Sequence, residues 1–454
     1  MTSFPGRGQP GKAGLMAVAS SRRAVVTSGL GTFIEGYDIL LYAYLAGFLA
    51  QQFFPSADPT TALLDTFAIF AVGFLARPAG GLLFGHIGDR LGRRTALVSS
   101  IVLVAGATLA IGLLPAYDKI GRAAPALLLA CRLLQGLSIG GEYVGANILI
   151  LEHAGPGRYG RAVSVNQVAS YLGAAGAAAT SLLLTAALTP EQMTAWGWRL
   201  PFLTALPLGL VVLYLRLRMP ESPAVGRQPS TALPLAVAAR TAKRGMLVFA
   251  GWLTMVTLGG FLLFGYMPTY LNRVVGLGPV AAFAVSLGGL AALAAGAITG
   301  GYLVDRYPPR TVAIGAALGV AVTIGPSFVV MQHGTVAAAL AGQVAWAWCV
   351  GVGATVSALL SVTRFPAPIR YTATALAYNV TVVLLGGTAP YVSTWLVARA
   401  QTPLAPAGYL VVMALVALGT AIVGLRPESP PRLGTHLRSF TVVRPASQGK
   451  SGWQ

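Results

Sequence analysis

Twelve runs of predominantly apolar residues, separated by short polar segments, constrain this chain more than anything else in it. Each is about 20 residues or longer, and a helix rising 1.5 Å per residue needs about that length to cross roughly 30 Å of hydrocarbon. The first six runs are approximately Ala24 to Phe53, Ala62 to Phe84, Thr95 to Leu114, Ala123 to Ile150, Ala162 to Leu188 and Leu200 to Leu217. The second six are approximately Gly245 to Leu271, Pro279 to Val304, Thr311 to Met331, Thr335 to Thr363, Tyr371 to Val397 and Leu404 to Leu425. Only 9% of the residues are charged and 55% are apolar, against about 25% charged in soluble domains, so lipid is the expected solvent.

The net charge of +19 does not point to nucleic acid, because the 31 Lys and Arg are distributed as membrane topology requires. With a cytoplasmic N-terminus, 24 of them fall in the inside segments and five in the outside loops, the five being Lys119, Arg122, Arg199, Arg273 and Arg399. Both termini are therefore expected in the cytoplasm. The apolar stretch after Arg22 and Arg23 exceeds the 7 to 15 residues of a signal-peptide core, so helix 1 is expected to remain as its own anchor. Cys131 and Cys349 lie inside predicted spans and read as packing residues, and His86, His153, His333 and His436 are scattered; no disulfide framework, metal site or cofactor is expected.

A repeat divides the chain. Gly85-His-Ile-Gly-Asp89-Arg90-Leu-Gly92-Arg93-Arg94 recurs as Gly301-Tyr-Leu-Val-Asp305-Arg306-Tyr-Pro-Pro-Arg310, 216 residues later, each copy following the second span of its half. The expected organisation is a tail over 1–23, a six-helix half over 24–217, a linker over 218–244, a second six-helix half over 245–425 and a tail over 426–454. The linker and final tail are Pro-rich and basic, and the tail has no heptads.

The first copy resembles the signature between helices 2 and 3 of the major facilitator superfamily, Gly-x-x-x-Asp-Arg-x-Gly-Arg-Arg, at every fixed position. The bland alternative, a basic loop obeying the positive-inside rule, requires neither the Asp nor the glycines. The resemblance implies an all-α integral membrane fold of 12 transmembrane helices in two halves. It also implies a conformational latch of Gly85, Asp89, Arg90, Gly92, Arg93, Arg94 and Glu152, with Asp305 and Arg306 in the second copy.

Ionisable groups inside spans cost about 2.5 to 3.5 kcal/mol each on insertion scales, so each is a candidate functional group. Glu35 and Asp38 lie three residues apart on one face of helix 1. Two neighbouring carboxylates cannot both be ionised cheaply in a dry site, and one should take up a proton easily, as a proton-coupled carrier needs. Arg77, deep in helix 2, offers a two-pronged donor to a carboxylate, from Asp38 or from a substrate. Arg132, Glu142 and Tyr143 follow on helix 4. Internal ion pairs that fix helix register are the competing reading for these groups. The amides Asn166, Gln167 and Asn379 read equally as binding groups or as helix cross-links. Tyr143, Tyr171, Tyr266, Tyr270, Trp346 and Tyr378 could line a cavity or simply pack.

A narrower resemblance, to the metabolite:proton symporters such as the α-ketoglutarate, citrate, shikimate and proline/betaine permeases, covers about residues 28 to 425. It rests on Glu35-x-x-Asp38, Arg77-Pro-x-Gly-Gly, Arg132-x-x-Gln135-Gly with Gly140-Gly-Glu142-Tyr143, Trp196-Gly-Trp198-Arg199-Leu-Pro201-Phe202 and Arg218-Met-Pro220-Glu221-Ser-Pro. Tyr266-Met-Pro268-Thr-Tyr270, Phe365-Pro-x-x-x-Arg370-Tyr371, Ala-Tyr378-Asn379 and Gly386-Gly-Thr-Ala-Pro390 extend it. Where relatives carry an aromatic pair before the helix 1 aspartate, this chain has Gly36-Tyr37, which enlarges a cavity or alters packing beside Asp38.

The resemblance implies a multi-pass protein of the bacterial inner membrane, a secondary transporter and not an enzyme, that works by alternating access and acts as a monomer. Its energy source would be the proton gradient, with Glu35 and Asp38 carrying the coupling proton. A small mono-, di- or tricarboxylic acid is the first expected cargo, held by Arg77 with Arg132, Glu142, Tyr143, Asn166, Gln167, Arg199, Tyr266, Tyr378 and Asn379. A zwitterionic osmolyte such as proline or betaine is the alternative. Proton-coupled antiport lacks its helix 5 proline, a membrane sensor or scaffold lacks a soluble module, and no nucleotide-binding loop is present.

Overall fold

The computed structural model describes residues 29–56, 58–91, 93–138, 147, 150–151, 154, 157–217, 241–366 and 369–425, without the side chains at 85, 88, 89, 93, 94, 97, 215 and 216. Among the described residues the regular structure is helical throughout. We number the long helices α1 (Gly29–Tyr44, continued by Ala46–Phe53), α2 (Pro59–Leu75, continued by Arg77–Leu91), α3 (Arg93–Leu113), α4 (Ala123–Ser138), α5 (Tyr159–Ala187) and α6 (Leu200–Leu217). After the gap come α7 (Lys243–Phe261, with Met267–Arg273), α8 (Pro279–Arg306), α9 (Pro309–Met331), α10 (Val336–Thr363), α11 (Arg370–Thr381, with Ala389–Ala400) and α12 (Ala405–Gly424). Among the described residues nine helices are long and apolar enough to span a membrane. The α1 pair, bent by 57°, passes the same test only when its two segments are taken together, and two shorter apolar helices lie at Val98–Leu113 and Ala123–Ser138.

Helix starts follow their local chemistry. Asp58 caps α2, accepting from the Thr60 and Thr61 amides and the Thr61 hydroxyl, bonds that hold its carboxyl below the ordinary value. Prolines at the first turn start α2, α8, α9 and α12, where a missing N–H costs nothing. Two prolines further along act differently. In α7 a π turn at Leu262–Tyr266 leads into Pro268, and in α11 another at Val382–Gly387 leads into Pro390. A proline cannot donate to the carbonyl four residues back, and a wider turn is one way to accommodate the interruption.

Glycines set the seams. A Cβ on Gly136 of α4 would lie 1.9 Å from the Gly73 carbonyl oxygen of α2, and one on Gly80 would lie 1.8 Å from that of Leu137. Helices α1 and α5 approach as closely, since a Cβ on Gly173 would sit 2.0 Å from the Phe33 carbonyl oxygen and one on Gly36 would sit 2.6 Å from that of Ser170. Gly36 therefore alters packing rather than enlarging a cavity. In the second half Gly296 lies against the Trp348 backbone in the same manner. Substituting Gly136→Leu should cost at least the ~1–3 kcal/mol typical of overpacking. Size-exclusion profiles of detergent-extracted protein check this: Gly136→Leu is expected to aggregate, while Gly106→Leu, with nothing within 4 Å of its Cβ position, should not.

The halves meet along α5 with α8 and α10, and along α2 with α11. At the end of the bundle where α5 starts and α8 finishes, Asp305 accepts hydrogen bonds from the Gly160 amide (2.7 Å), the Arg161 amide (3.3 Å) and the Arg161 Nε (2.9 Å). Further along the bundle the contact is aromatic and close-packed. Tyr44 meets Phe283 edge-on, and a Cβ on Gly265 would touch Ala43 at 3.4 Å.

Candidate functional site

Asp38 of α1 is 1% exposed, and neither of its carboxylate oxygens has a hydrogen-bond partner among the described residues. Tyr37 beside it is fixed by hydroxyl contacts to Thr204 (2.7 Å) and Thr180 (3.4 Å), tying α1 to α5 and α6. One turn earlier, Glu35 is half-buried in different surroundings, close enough to Arg77 to bear on its charge, as is the Tyr378 hydroxyl of α11. The two carboxylates are thus separated in role: the acid that bears on Arg77 is Glu35, where the sequence had offered Asp38.

Arg77 is buried at the start of the second segment of α2, with its guanidinium carbon 4.4 Å from the centre of the Phe74 ring. Arg132 of α4 is buried too, lying 4.5 Å from the Tyr42 ring centre and 4.9 Å from that of Phe70. It donates to Gln135 Oε1 (2.8 Å), and Gln135 in turn donates to Thr108 (2.7 Å), while the Arg132 Nε has no partner among the described residues. The ionisable groups acting on Arg132 are Tyr42 and Arg77, neither of them a carboxylate. Two buried cations close enough to influence one another, resting on aromatic faces, make a site that attracts an anion.

The rings form one cluster. Phe70 and Phe74 of α2 lie 5.0 Å apart at 63°, and Phe261 of α7 stands 5.4 Å from Phe74 at 76° and 6.5 Å from Phe70 at 59°. Phe264 continues the cluster to Tyr171 of α5, 5.7 Å away. These rings link the two halves directly.

Other expected site residues are placed elsewhere or tied up in packing. Asn166 accepts from Thr32 and donates to Asn147, both at 2.9 Å, cross-linking α1, α5 and the chain after α4. Gln167 donates to the Ala354 carbonyl across the halves at 3.5 Å, leaving its Oε1 without a partner among the described residues. Tyr266 is buried against Tyr270, with ring centres 5.8 Å apart. Asn379 is buried on α11. Arg199 rests over Trp198 and donates to the Leu114 and Ala195 carbonyls, which caps the chain ends there. Cys131 and Cys349 are free and buried. Glu142, Tyr143, Glu152 and Gly92 fall outside the described residues, as do the side chains of Asp89, Arg93 and Arg94; Gly85 lies on α2, and Arg90 and Arg306 are exposed.

Sequence reasoning passed over Gly160, Arg161 and the three phenylalanines. Nothing in the spacing pairs Arg161 with Asp305, 144 residues on, and apolar rings in an apolar chain carry no signal of their own.

A family model described as "Sugar (and other) transporter" matches residues 24–225. A proline/betaine transporter of Escherichia coli (strain K12) is 33% identical over 430 residues, 91% of this chain and 85% of that protein. A glycine betaine/proline/ectoine/pipecolic acid transporter of Dickeya dadantii is 32% identical over the same shares, and a putative proline/betaine transporter of Staphylococcus aureus (strain COL) is 34% identical over 87% of this chain and 86% of its own. Among solved structures, the major facilitator superfamily proton:xylose symporter XylE superposes with a TM-score of 0.69 at 19% identity, covering 89% of this chain and 95% of that one, a likeness of fold. The chain belongs to the major facilitator superfamily, as a multi-pass membrane transporter of the family that holds the proline/betaine transporters.

Proposed function

We propose that the chain is a proton-coupled symporter of a small zwitterionic osmolyte of the proline or betaine class, working by alternating access. The observation that carries this reading is the buried charge set: two guanidinium groups, Arg77 and Arg132, resting on aromatic rings, and apart from them a buried acid, Asp38, whose oxygens have no hydrogen-bond partner among the described residues. An ionised carboxylate in such surroundings costs several kcal/mol, so Asp38 suits a group that carries a proton through the occluded state and releases it when the site opens. Glu35 neutralises Arg77 when the site is empty and yields to the substrate carboxylate when it is filled. The proline/betaine transporters among its relatives favour proline or betaine as cargo. An organic acid is the second reading, favoured by the proximity of two cations, which suits more than one carboxylate.

In this reading the chain has twelve spans, both termini are cytoplasmic, a monomer is the working unit and the proton gradient is the energy source. Asp305, bound to Gly160 and Arg161, closes the cytoplasmic end while the other end is open. Gly85, Asp89, Arg90, Gly92, Arg93, Arg94 and Glu152 would provide the matching closure on the other side of the pseudo-symmetry.

Purified protein in proteoliposomes with an imposed inward proton gradient tests the proposal against proline, glycine betaine, α-ketoglutarate and citrate. Accumulation of proline or betaine is expected, and a protonophore should abolish it. Accumulation that ignores the gradient defeats symport, and uptake confined to the di- and tricarboxylates replaces the zwitterion with the second reading.

A further inference from the structure

We infer that Phe70, Phe74 and Phe261 form the subsite for the cationic end of the substrate, beside the arginines that take its carboxylate and with Phe261 as the open face; this rests on the zwitterion reading above. Three rings within 6.5 Å of one another at 59° to 76° present an aromatic corner, with two walls from α2 and one from α7. Ring faces carry negative charge density and attract an ammonium or guanidinium group. The protein's own cations already use these faces, since Arg77 lies over Phe74 and Arg132 over Phe70. Phe261 is the wall with no arginine among the ring–cation contacts of the described residues, and it is half-buried where Phe70 and Phe74 are buried.

The arrangement fits a short zwitterion. A carboxylate bound to Arg77 lies beside Phe74, and an ammonium group one carbon away reaches toward Phe261, whose ring centre is 5.4 Å from that of Phe74. The rings are in mutual contact as they stand, so the corner admits a ligand when the halves separate and α7 moves from α2. Because two walls belong to one half and the third to the other, closure on the cation couples substrate binding to the approach of the halves. A second carboxylate in the same place would face the negative faces of the rings. The corner therefore selects zwitterions over dicarboxylates of similar length.

The test compares glycine betaine with 3,3-dimethylbutyrate, which has the same shape and carboxylate but a neutral carbon in place of the nitrogen. In proteoliposomes the wild type is expected to take up betaine with a KM about tenfold below the inhibition constant of dimethylbutyrate. Phe261→Leu should raise the betaine KM about tenfold while leaving the dimethylbutyrate constant within about twofold, and Phe261→Tyr should restore the preference. Should Phe261→Leu fail to fold, replacing Phe261 with a multiply fluorinated phenylalanine keeps the shape and drains the ring face, and the same loss of preference is expected. Equal weakening of both ligands, or no change in either, overturns the subsite while leaving the zwitterion reading intact. A wild type that moves neither betaine nor proline removes both.

Discussion

Asp38→Asn is expected to abolish gradient-driven accumulation, by roughly 100-fold or more, equivalent to ~2.7 kcal/mol, while leaving exchange of substrate across the membrane in place. The amide matches the acid in size, and it replaces a side chain with no hydrogen-bond partner among the described residues, so packing loses little. What disappears is the transferable proton. A counterflow assay with equal pH on both sides separates the two activities in one preparation. Glu35→Gln gives the contrast: Glu35 acts on Arg77, so its loss should raise KM and leave accumulation coupled to the gradient. If Glu35→Gln uncouples and Asp38→Asn does not, the roles assigned to the two acids are reversed.

Arg77→Lys is expected to raise the substrate KM by about 10- to 30-fold with a smaller change in kcat. Lysine keeps the charge but loses the planar fork that binds a carboxylate through two nitrogens, and it stacks less well over Phe74, 4.4 Å away. Direct binding measured by calorimetry should weaken by the same factor. Arg132→Lys is expected to affect folding as well, because it gives up contacts to two rings and the bond to Gln135, itself tied to Thr108. If Arg77→Lys leaves both KM and binding unchanged, the carboxylate site lies elsewhere.

The spans were legible because hydrocarbon imposes a length and a composition that run along the chain. Their interruptions were less so: the π turns before Pro268 and Pro390 were marked only by the prolines, and the bend at Leu45 falls within an unbroken apolar run. The charged members of the site stood out for the same reason that the spans did, since Arg77 and Asp38 are costly where they lie. Their partnerships were not legible. Glu35 and Asp38 are three residues apart, yet one bears on Arg77 and the other has no hydrogen-bond partner among the described residues, because neighbouring helices meet each position differently. The close approaches of Gly136 to Gly73 and of Gly80 to Leu137 were not legible either, since many glycines are scattered along the spans and only the fold shows which of them face a neighbouring backbone. Arg199 looked like a binding cation because of its motif, but a guanidinium also satisfies backbone carbonyls at a helix end, which is what it does with Leu114.

Close glycine seams occur in both halves, so it is the π turns that divide stiffness unevenly between them. Backbone-to-backbone contact of α1 with α5 and of α2 with α4 leaves the segments bearing Glu35, Asp38, Arg77 and Arg132 little freedom to slide. Among the described residues both π turns fall in the other half, and Pro390, just beyond the second, lies 3.2 Å from the Cβ position of Gly265 in the first. Compliance thus resides where the described spans carry no ionised side chain away from their ends. One half keeps the electrostatic settings while the other supplies the travel, so a full stroke can pass without retuning the groups that read charge.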